Sequence, residues 1–409
     1  MVDAAALPTT TDLAIVGAGP QALTLVTHLL QKKKSMRNRF VVLDPSGQWL
    51  QQWQHQFAAY EIPHLRSPVV HHPDPNPHAL RAFAESRADE LFPPYDLPGT
   101  RLFQDFCQEV IHRWQLQDRV VSAQVEHLEP LRQQGRFRLT LTNGQILTAR
   151  RVVLAIAGGV PHLPDWVARP QNYPLDRLCH SHQVDLRGLR LWGERILIVG
   201  SGLTAGHLAL GAIARGAQVM MMARRTFYEK LFDAAPGWLG PKNLKGFHAE
   251  PDWQTRWQMI RDARDGGSLT PAVLTKLRRL ERDGKLSFYE QCEVHSAKWK
   301  ETSWQVVCSH PKAHHCITHL PIDRIWLATG NTLDVNQWPL LSTVREHYPV
   351  PTVQGLPVLD KHLRWPGCNL FIMGGATALQ VGPVARNLFG AKLACDRIVP
   401  ALIKVGLGR

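Results

Sequence analysis

The chain has 409 residues, 44% of them apolar and 20% charged, and its 47 basic and 34 acidic residues give a formal net charge of +13. This composition excludes a disordered chain and a fibre, and the charge favours anionic partners such as nucleotide phosphates. The basic residues are scattered and form no recognisable nucleic-acid-binding module, so no nucleic-acid partner is expected. No window reaches the roughly 18 uncharged apolar residues of a membrane span, and the N-terminus lacks the features of a secretory signal.

Seven cysteines are dispersed along the chain, and none forms a Cys-x-x-Cys pair. An odd, scattered set of this kind is typical of reduced thiols in a reducing compartment, which predicts a cytoplasmic protein. It also excludes the paired thiols that a disulfide reductase needs.

The first predicted unit is a strand, a glycine-rich turn, a helix and a second strand. The apolar run 12–16 leads into Gly17-Ala-Gly19-Pro20-Gln21-Ala22, and a helical pattern follows over 23–30. The next strand, 40–43, ends at Asp44. This order predicts a β-α-β unit with the turn at the junction of strand and helix.

A second unit of the same kind follows about 183 residues later, with the strand 195–199, a turn from Gly200 to Gly206 and the strand 218–222 before Arg224 and Arg225. A proline-rich stretch, 161–174, is predicted to be a linker. Strands at 151–158, 324–330 and 369–375 each close on glycine, and a terminal helix is predicted from about 384. We therefore expect an α/β protein with two Rossmann-like, three-layer dinucleotide-binding domains, the second inserted in the first. The predicted ranges are 1–160, 190–325 and 326–409.

The two glycine turns have the residue pattern of dinucleotide-binding sites. The first glycine allows a tight turn, the second lets a pyrophosphate approach the backbone, and the third position must be small, which Ala22 and Ala205 satisfy. Asp44 suits an unphosphorylated ribose, as in FAD or NAD, whereas Arg224 and Arg225 would bind the 2′-phosphate of NADPH. The alternative is that both arginines are solvated surface charges.

Over its whole length the chain resembles the class B FAD- and NADPH-dependent monooxygenases, the group of N-hydroxylating and flavin-containing enzymes. The similar motifs include Asp44 followed by Gly47-Gln48-Trp49, and Leu327-Ala-Thr-Gly-Asn331, in which Asn replaces the Tyr of the ornithine and lysine N-hydroxylases. His180-Ser181 and the segment from Gly382 are also similar. The Phe-x-Gly-x-x-x-His fingerprint of Baeyer-Villiger enzymes is absent.

The resemblance implies that NADPH reduces FAD and that the flavin then forms a C4a-hydroperoxide with O2, which oxygenates a small nucleophilic substrate such as an amine. It also implies a homo-oligomer. The motifs and the resemblance together assign these cofactor-binding residues: Gly17, Gly19, Pro20, Gln21, Asp44, Gln48, Trp49, Gly375, Gly382 and Pro383 for FAD, Gly200, Ser201, Gly202, Thr204, Arg224 and Arg225 for NADPH, and Asn331 at the shared signature.

Catalytic candidates come from the stretch between Trp49 and Phe106. Arg66-Ser67 and Asp74-Pro75 stand loosely where N-hydroxylases have a Lys-Asp pair and an Asn-Pro, so His64 and Arg66 are candidates, with a structural role as the alternative. We expect no metal site: His71-His72 has no supporting acid or cysteine, and the run from Cys308 to Cys316 has the features of a solvated loop rather than of zinc ligand spacing.

Two other functions stay open at this stage. One is a flavin NAD(P)H oxidase or quinone-type reductase. The other is a non-catalytic flavoprotein that acts through partners, since fold alone does not establish activity.

Overall fold

The computed structural model describes residues 7–309 and 320–404. The helices are α1 (Pro20–Lys32), α2 (Gln51–Ala59), α3 (Ala79–Phe83), α4 (Thr100–Arg113), α5 (Leu203–Ala214), α6 (Pro241–Ala249), α7 (Trp253–Arg264), α8 (Pro271–Arg282), α9 (Ser342–His347), α10 (Ala378–Val381) and α11 (Leu388–Ile403). The strands are β1 (Thr10–Val16), β2 (Phe40–Asp44), β3 (Leu91–Phe92), β4 (Leu97–Pro98), β5 (Val120–Ser122), β6 (Val125–Leu131), β7 (Arg136–Leu141), β8 (Ile146–Leu154), β9 (Val160–Pro161), β10 (Leu178–His180), β11 (Arg195–Val199), β12 (Gln218–Met222), β13 (Leu286–Tyr289), β14 (Val294–Lys300), β15 (Ser303–Cys308), β16 (Arg324–Leu327), β17 (Asn331–Thr332), β18 (Thr352–Val353), β19 (Leu356–Pro357) and β20 (Leu370–Ile372).

The first sheet joins the two ends of the chain. Its parallel strands run in the order β5-β2-β1-β8, and β20, from the C-terminal segment, pairs in parallel with β8. Strands β6 and β7 continue the sheet in antiparallel fashion beyond the first half of β8. The register places Val16 opposite both Leu43 and Leu154, so three strands end together at one edge. Ligands of open α/β sheets bind at such a carboxyl edge.

Helix α1 forms because apolar side chains recur along one stripe that faces this sheet. Leu23, Val26 and Leu30 are buried in the first core, and α11 packs against α1. The terminal helix therefore belongs to the first sheet although it lies at the other end of the sequence.

The second sheet has five parallel strands in the order β10-β16-β11-β12-β13. Alternate side chains of its strands point to opposite faces. One face packs against α5 and α8, and the other packs against the hairpin β14–β15, where Trp304 is fully buried. The third layer of this domain is thus a β-hairpin rather than a set of helices.

The segment predicted as a proline-rich linker is packed in place. It contains a short 3₁₀ turn, Asp165–Ala168, whose Trp166 is buried in the same core as Trp304. The second sheet also begins at Leu178 and ends at Leu327, so it reaches beyond the predicted range 190–325 at both ends.

The chain crosses between the two sheets twice, and the two crossings pair with each other. Val160–Pro161 and Asn331–Thr332 form a small antiparallel ladder. The predicted α/β class, with one dinucleotide-type domain inserted in another, is confirmed. No helix in the described part of the chain is long and apolar enough to cross a membrane.

Candidate functional site

The first glycine turn leaves the start of α1 open to a ligand. Gly17 has φ +99°, and a Cβ there would lie 2.8 Å from the Ala155 carbonyl oxygen. A Cβ on Gly19, the N-cap of α1, would have nothing within 4 Å. No side chain caps the helix, Pro20 fills a first-turn position that needs no N–H partner, and the first turn holds no acid. These features fit a pyrophosphate at the helix N-terminus.

Asp44 connects this turn to the loop after β2. Its carboxylate accepts hydrogen bonds from the Ala18 N–H (2.9 Å), the Ser46 N–H (3.0 Å) and the Ser46 hydroxyl (2.6 Å). A carboxylate has about four acceptor positions, so it can still accept a ribose hydroxyl. Gln48 is exposed next to it, and its carbonyl oxygen accepts from the Ser46 hydroxyl.

Trp49 has a packing role. Its side chain is 5% exposed in the first core, and its indole N–H donates to the Leu116 carbonyl oxygen at 2.8 Å. The polar edge of the ring is thus used to anchor the loop, and cofactor binding by Trp49 stays a prediction.

The C-terminal segment closes over the first turn. The Gln21 amide donates to the carbonyl oxygens of Ala385 (3.5 Å) and Asn387 (3.3 Å), which fixes the chain between Gly382 and α11 beside α1. Gly382 has φ +99°, which favours glycine. The Pro383 carbonyl oxygen accepts from Arg264 of α7 at 2.9 Å.

Gly375 lies beside this segment. It follows β20, and a Cβ there would come within 3.9 Å of the Arg386 Cβ. The structure therefore brings the predicted FAD residues from the two ends of the sequence to one edge of the first sheet, except for the ring of Trp49.

The second glycine turn has the same construction. Gly200 has φ +143°, and a Cβ there would lie 2.3 Å from the Ala328 carbonyl oxygen. Gly202 is the N-cap of α5, without a side-chain cap, while Ser201 and Thr204 are half-buried in the same turn.

The two arginines after β12 differ. The Arg224 side chain is 72% exposed, and its nearest ion-pair partner is Glu293 at 3.9 Å. Arg225 instead donates to the carbonyl oxygens of Asp265 (2.6 Å) and Gly267 (3.0 Å), and its guanidinium lies over the Tyr228 ring. Arg224 is therefore the arginine available to a phosphate in this structure.

The sequence analysis missed the loop Asp265–Ser268. A Cβ on Gly267 would lie 2.7 Å from the Gly202 Cα, so the loop lies directly against the second glycine turn. The adjacent pair Gly266-Gly267, just after a helix, was the available signal, because only glycine permits so close a backbone approach.

Arg66 forms several hydrogen bonds to other groups of the protein. It donates to the carbonyl oxygens of Leu231 (2.8 Å) and Lys230 (2.5 Å), to the Ser268 hydroxyl (2.8 Å) and to the Asp233 carboxylate (2.8 Å). Its guanidinium therefore ties the loop after α2 to two loops of the second domain. These bonds favour the structural alternative for Arg66, because its donors are all used within the protein, and a catalytic role for Arg66 stays a prediction.

His64 is half-buried next to Arg66. Its ring stacks on Phe92 with centroids 4.8 Å apart, and its Nδ1 lies 2.9 Å from the Leu65 carbonyl oxygen. Burial and the nearby His64 lower the pKa of His207 on α5 to about 4. His64 therefore packs on Phe92, and a catalytic role for His64 stays a prediction.

Asn331 lies at the paired crossings. Its side-chain nitrogen is 3.4 Å from His182 Nε2, and His180 Nε2 is 3.1 Å from the Gly330 carbonyl oxygen. Asn331 is thus close to the His180-Ser181 pair and belongs to the junction between the two domains.

His71 and His72, the adjacent pair considered as metal ligands, lie among the described residues. His71 Nδ1 is 2.9 Å from the Ser67 hydroxyl, and burial lowers the pKa of both His71 and His72 to about 4. Within residues 7–309 and 320–404, no group of three or more potential ligands is placed to hold a metal ion. Most of the run from Cys308 to Cys316 lies outside the described residues.

Comparison with known proteins gives the fold a context. Residues 14–159 match a family model described as FAD-NAD(P)-binding. None of the curated protein sequences matches the chain.

Solved structures match over nearly the full length. The ornithine N-hydroxylase of Kutzneria sp. 744 has 18% identity and a TM-score of 0.77, covering 96% of this chain and 99% of that one. The L-lysine 6-monooxygenase of Pseudomonas syringae has 18% identity and a TM-score of 0.73, with 96% and 99% covered. The cadaverine monooxygenase DfoA of Erwinia amylovora, solved with FAD, has 15% identity and a TM-score of 0.76, with 97% and 95% covered. The chain therefore has the fold of these N-hydroxylase and monooxygenase structures, and its first segment is similar to FAD-NAD(P)-binding proteins.

Proposed function

We propose that the chain is a FAD-containing, NADPH-dependent monooxygenase that uses O2 to oxygenate a small nucleophilic molecule such as an amine. The observation that carries this proposal is the difference between its two glycine turns. The first is followed by the acid Asp44 and the second by the exposed Arg224. An acid suits an unphosphorylated ribose, and a guanidinium suits a 2′-phosphate, so one chain holds FAD and NADPH in separate sites.

The comparisons support the reaction class. Three structures of the same fold are named as an ornithine N-hydroxylase, a lysine 6-monooxygenase and a cadaverine monooxygenase. We assign FAD to the segments 1–160 and 326–409 and NADPH to the segment 190–325. The seven dispersed cysteines support a cytoplasmic location, and a homo-oligomer stays a prediction.

Each of the main site residues has a separate role in binding the cofactors. The open N-terminus of α1 at Gly19 binds the FAD pyrophosphate, and Asp44 accepts from its ribose. Gln21 positions the C-terminal segment against α1, and Arg224 binds the 2′-phosphate of NADPH. When bound, the flavin supplies the redox chemistry, accepting electrons from NADPH and activating O2.

Arg66 contributes by linking the loop after α2 to loops of the second domain. By joining the loop after α2 to Leu231 and Ser268, it keeps the two domains in register and limits the access of water to the reacting groups. No side chain is needed as an acid or a base in this scheme. A scheme without a catalytic acid or base is consistent with Arg66, whose donors are all used in hydrogen bonds within the protein.

The test is a visible absorbance spectrum of the purified protein, recorded before and after anaerobic addition of NADPH. We expect oxidised-flavin bands that bleach with NADPH and much more slowly with NADH. A protein that binds no flavin even after FAD is added would refute the proposal. NADPH oxidation that yields only hydrogen peroxide with every amine tested would identify an oxidase or reductase instead, and flavin that stays oxidised would indicate a non-catalytic role.

A further inference from the structure

Arg386 is an exposed arginine on the segment that precedes α11. It directly precedes Asn387, the N-cap of α11, and the bonds from Gln21 to the flanking carbonyl oxygens hold the backbone on both sides of it. Within the described residues it makes no hydrogen bond or ion pair, and its side chain is exposed while Gly382 to Ala385 are buried.

The segment that carries this exposed side chain is tied to the second domain, because Arg264 of α7 donates to the Pro383 carbonyl oxygen at 2.9 Å. Surrounding protein, together with the charge of Arg264, lowers the pKa of Arg386 to about 10, and Asp233 opposes that shift. Arg386 therefore remains a cation at neutral pH.

The charged groups near Arg386 do not balance. Asp233 is paired with Arg66 at 2.8 Å and lies 3.6 Å from Arg264, so one carboxylate serves two arginines before Arg386 is counted. Three guanidinium groups and one carboxylate leave a surplus of two positive charges. A half-buried surplus of this kind is unfavourable until an anion enters.

We propose that Arg386, with Arg264 beside it, binds the acidic oxygens of a substrate that carries about two negative charges, as two carboxylates or a phosphate. This inference rests on the proposed monooxygenase function and names its substrate class. The arrangement disfavours cadaverine, a diamine, because its ammonium groups would meet the surplus cations. The substrate is therefore an amine that also bears acidic groups.

The experiment titrates the FAD-loaded protein with succinate, inorganic phosphate, acetate, L-ornithine and cadaverine at constant ionic strength, following the flavin difference spectrum. We expect the two dianions to bind more tightly than acetate and the diamine to cause no saturable change. Arg386→Gln should weaken succinate binding by about 10-fold or more, and Arg386→Lys by less, because lysine keeps the charge but loses the bidentate geometry. The matched control is Arg138→Gln, an exposed arginine paired with Glu129 on the β6–β7 hairpin, which should bind succinate like the wild type.

The outcomes separate this proposal from the proposed function. A protein that holds FAD and is reduced by NADPH, but whose spectrum responds to no dianion or only to cadaverine or ornithine, overturns the proposal and leaves the function standing. Loss of FAD from Arg386→Gln without a change in succinate affinity would mean that the acidic partner belongs to the cofactor, which also overturns it. If no flavin binds at all, the function fails, and the same titrations followed by tryptophan fluorescence decide the anion site alone. Arg386→Gln should fold normally because the side chain has no partner to lose.

Discussion

Replacing Arg224 with alanine is expected to remove the preference for NADPH without weakening the fold. The Arg224 side chain is 72% exposed, and its ion pair with Glu293 spans 3.9 Å, so its loss should cost the folded protein close to nothing. A charge-assisted hydrogen bond to a phosphate contributes about 1.5–3 kcal/mol. This predicts a loss of NADPH affinity of roughly 10-fold to 150-fold.

Arg225→Ala is the matched variant, since it removes the same charge from the neighbouring position. Arg225 holds the loop Asp265–Ser268 through two carbonyl oxygens, at 2.6 and 3.0 Å. We therefore expect a lower thermal midpoint for this variant and a looser loop over the second glycine turn. Its NADPH preference should change less than that of Arg224→Ala.

The assay is anaerobic flavin reduction, with rates measured over a range of NADPH and NADH concentrations and thermal unfolding recorded for each variant. The ratio of the two apparent affinities isolates the contribution of the 2′-phosphate, because the rest of the cofactor is the same. The reasoning would be refuted if Arg224→Ala kept the wild-type ratio while Arg225→Ala lost it with an unchanged thermal midpoint.

Three further predictions concern the frame of the site. Arg66→Ala should lower the unfolding free energy by about 2–4 kcal/mol, measured by urea denaturation, because it removes the closer partner of Asp233 and leaves several carbonyl oxygens without a donor; wild-type stability would contradict this. Gly17→Ala should abolish FAD binding in a fluorescence titration, since its Cβ would lie 2.8 Å from a carbonyl oxygen; retained affinity would argue against the turn. Burial lowers the pKa values of His72 and His207 to about 4, so the unfolded state binds more protons than the folded state between pH 4 and 6.5. The free energy of unfolding should therefore fall as the pH drops through that window, by up to about 1.4 kcal/mol per pH unit for each histidine. Urea midpoints that stay flat from pH 7 to 5 would contradict this.

Much of the fold could be predicted because its signals are local. A short apolar strand that runs into Gly17 or Gly200 and then into a helix specifies the turn by steric necessity, and the structure has both turns. The order of units along the chain also indicated that the C-terminus completes the first domain. These features depend on neighbouring residues, which a single sequence displays directly.

The parts that escaped prediction depend on distant partners. Arg66 and Trp49 look like ligand-binding residues in sequence, but their donors are used by carbonyl oxygens of Leu231 and Leu116. No local pattern shows which carbonyl oxygen a side chain will reach. The difference between Arg224 and Arg225 is of the same kind, because it is set by a loop about 40 residues later.

The paired crossings, Val160–Pro161 and Asn331–Thr332, place the entry and the exit of the middle segment side by side. Neighbouring strands lie about 5 Å apart, so the ends of this segment nearly meet. A stretch with adjoining ends can be added to a host chain, or exchanged for another, while the host sheet keeps its strand order. The middle segment is not independent of its host, because Trp238, Leu244 and Phe247 are buried in the first core, so an exchanged segment would have to keep these apolar contacts.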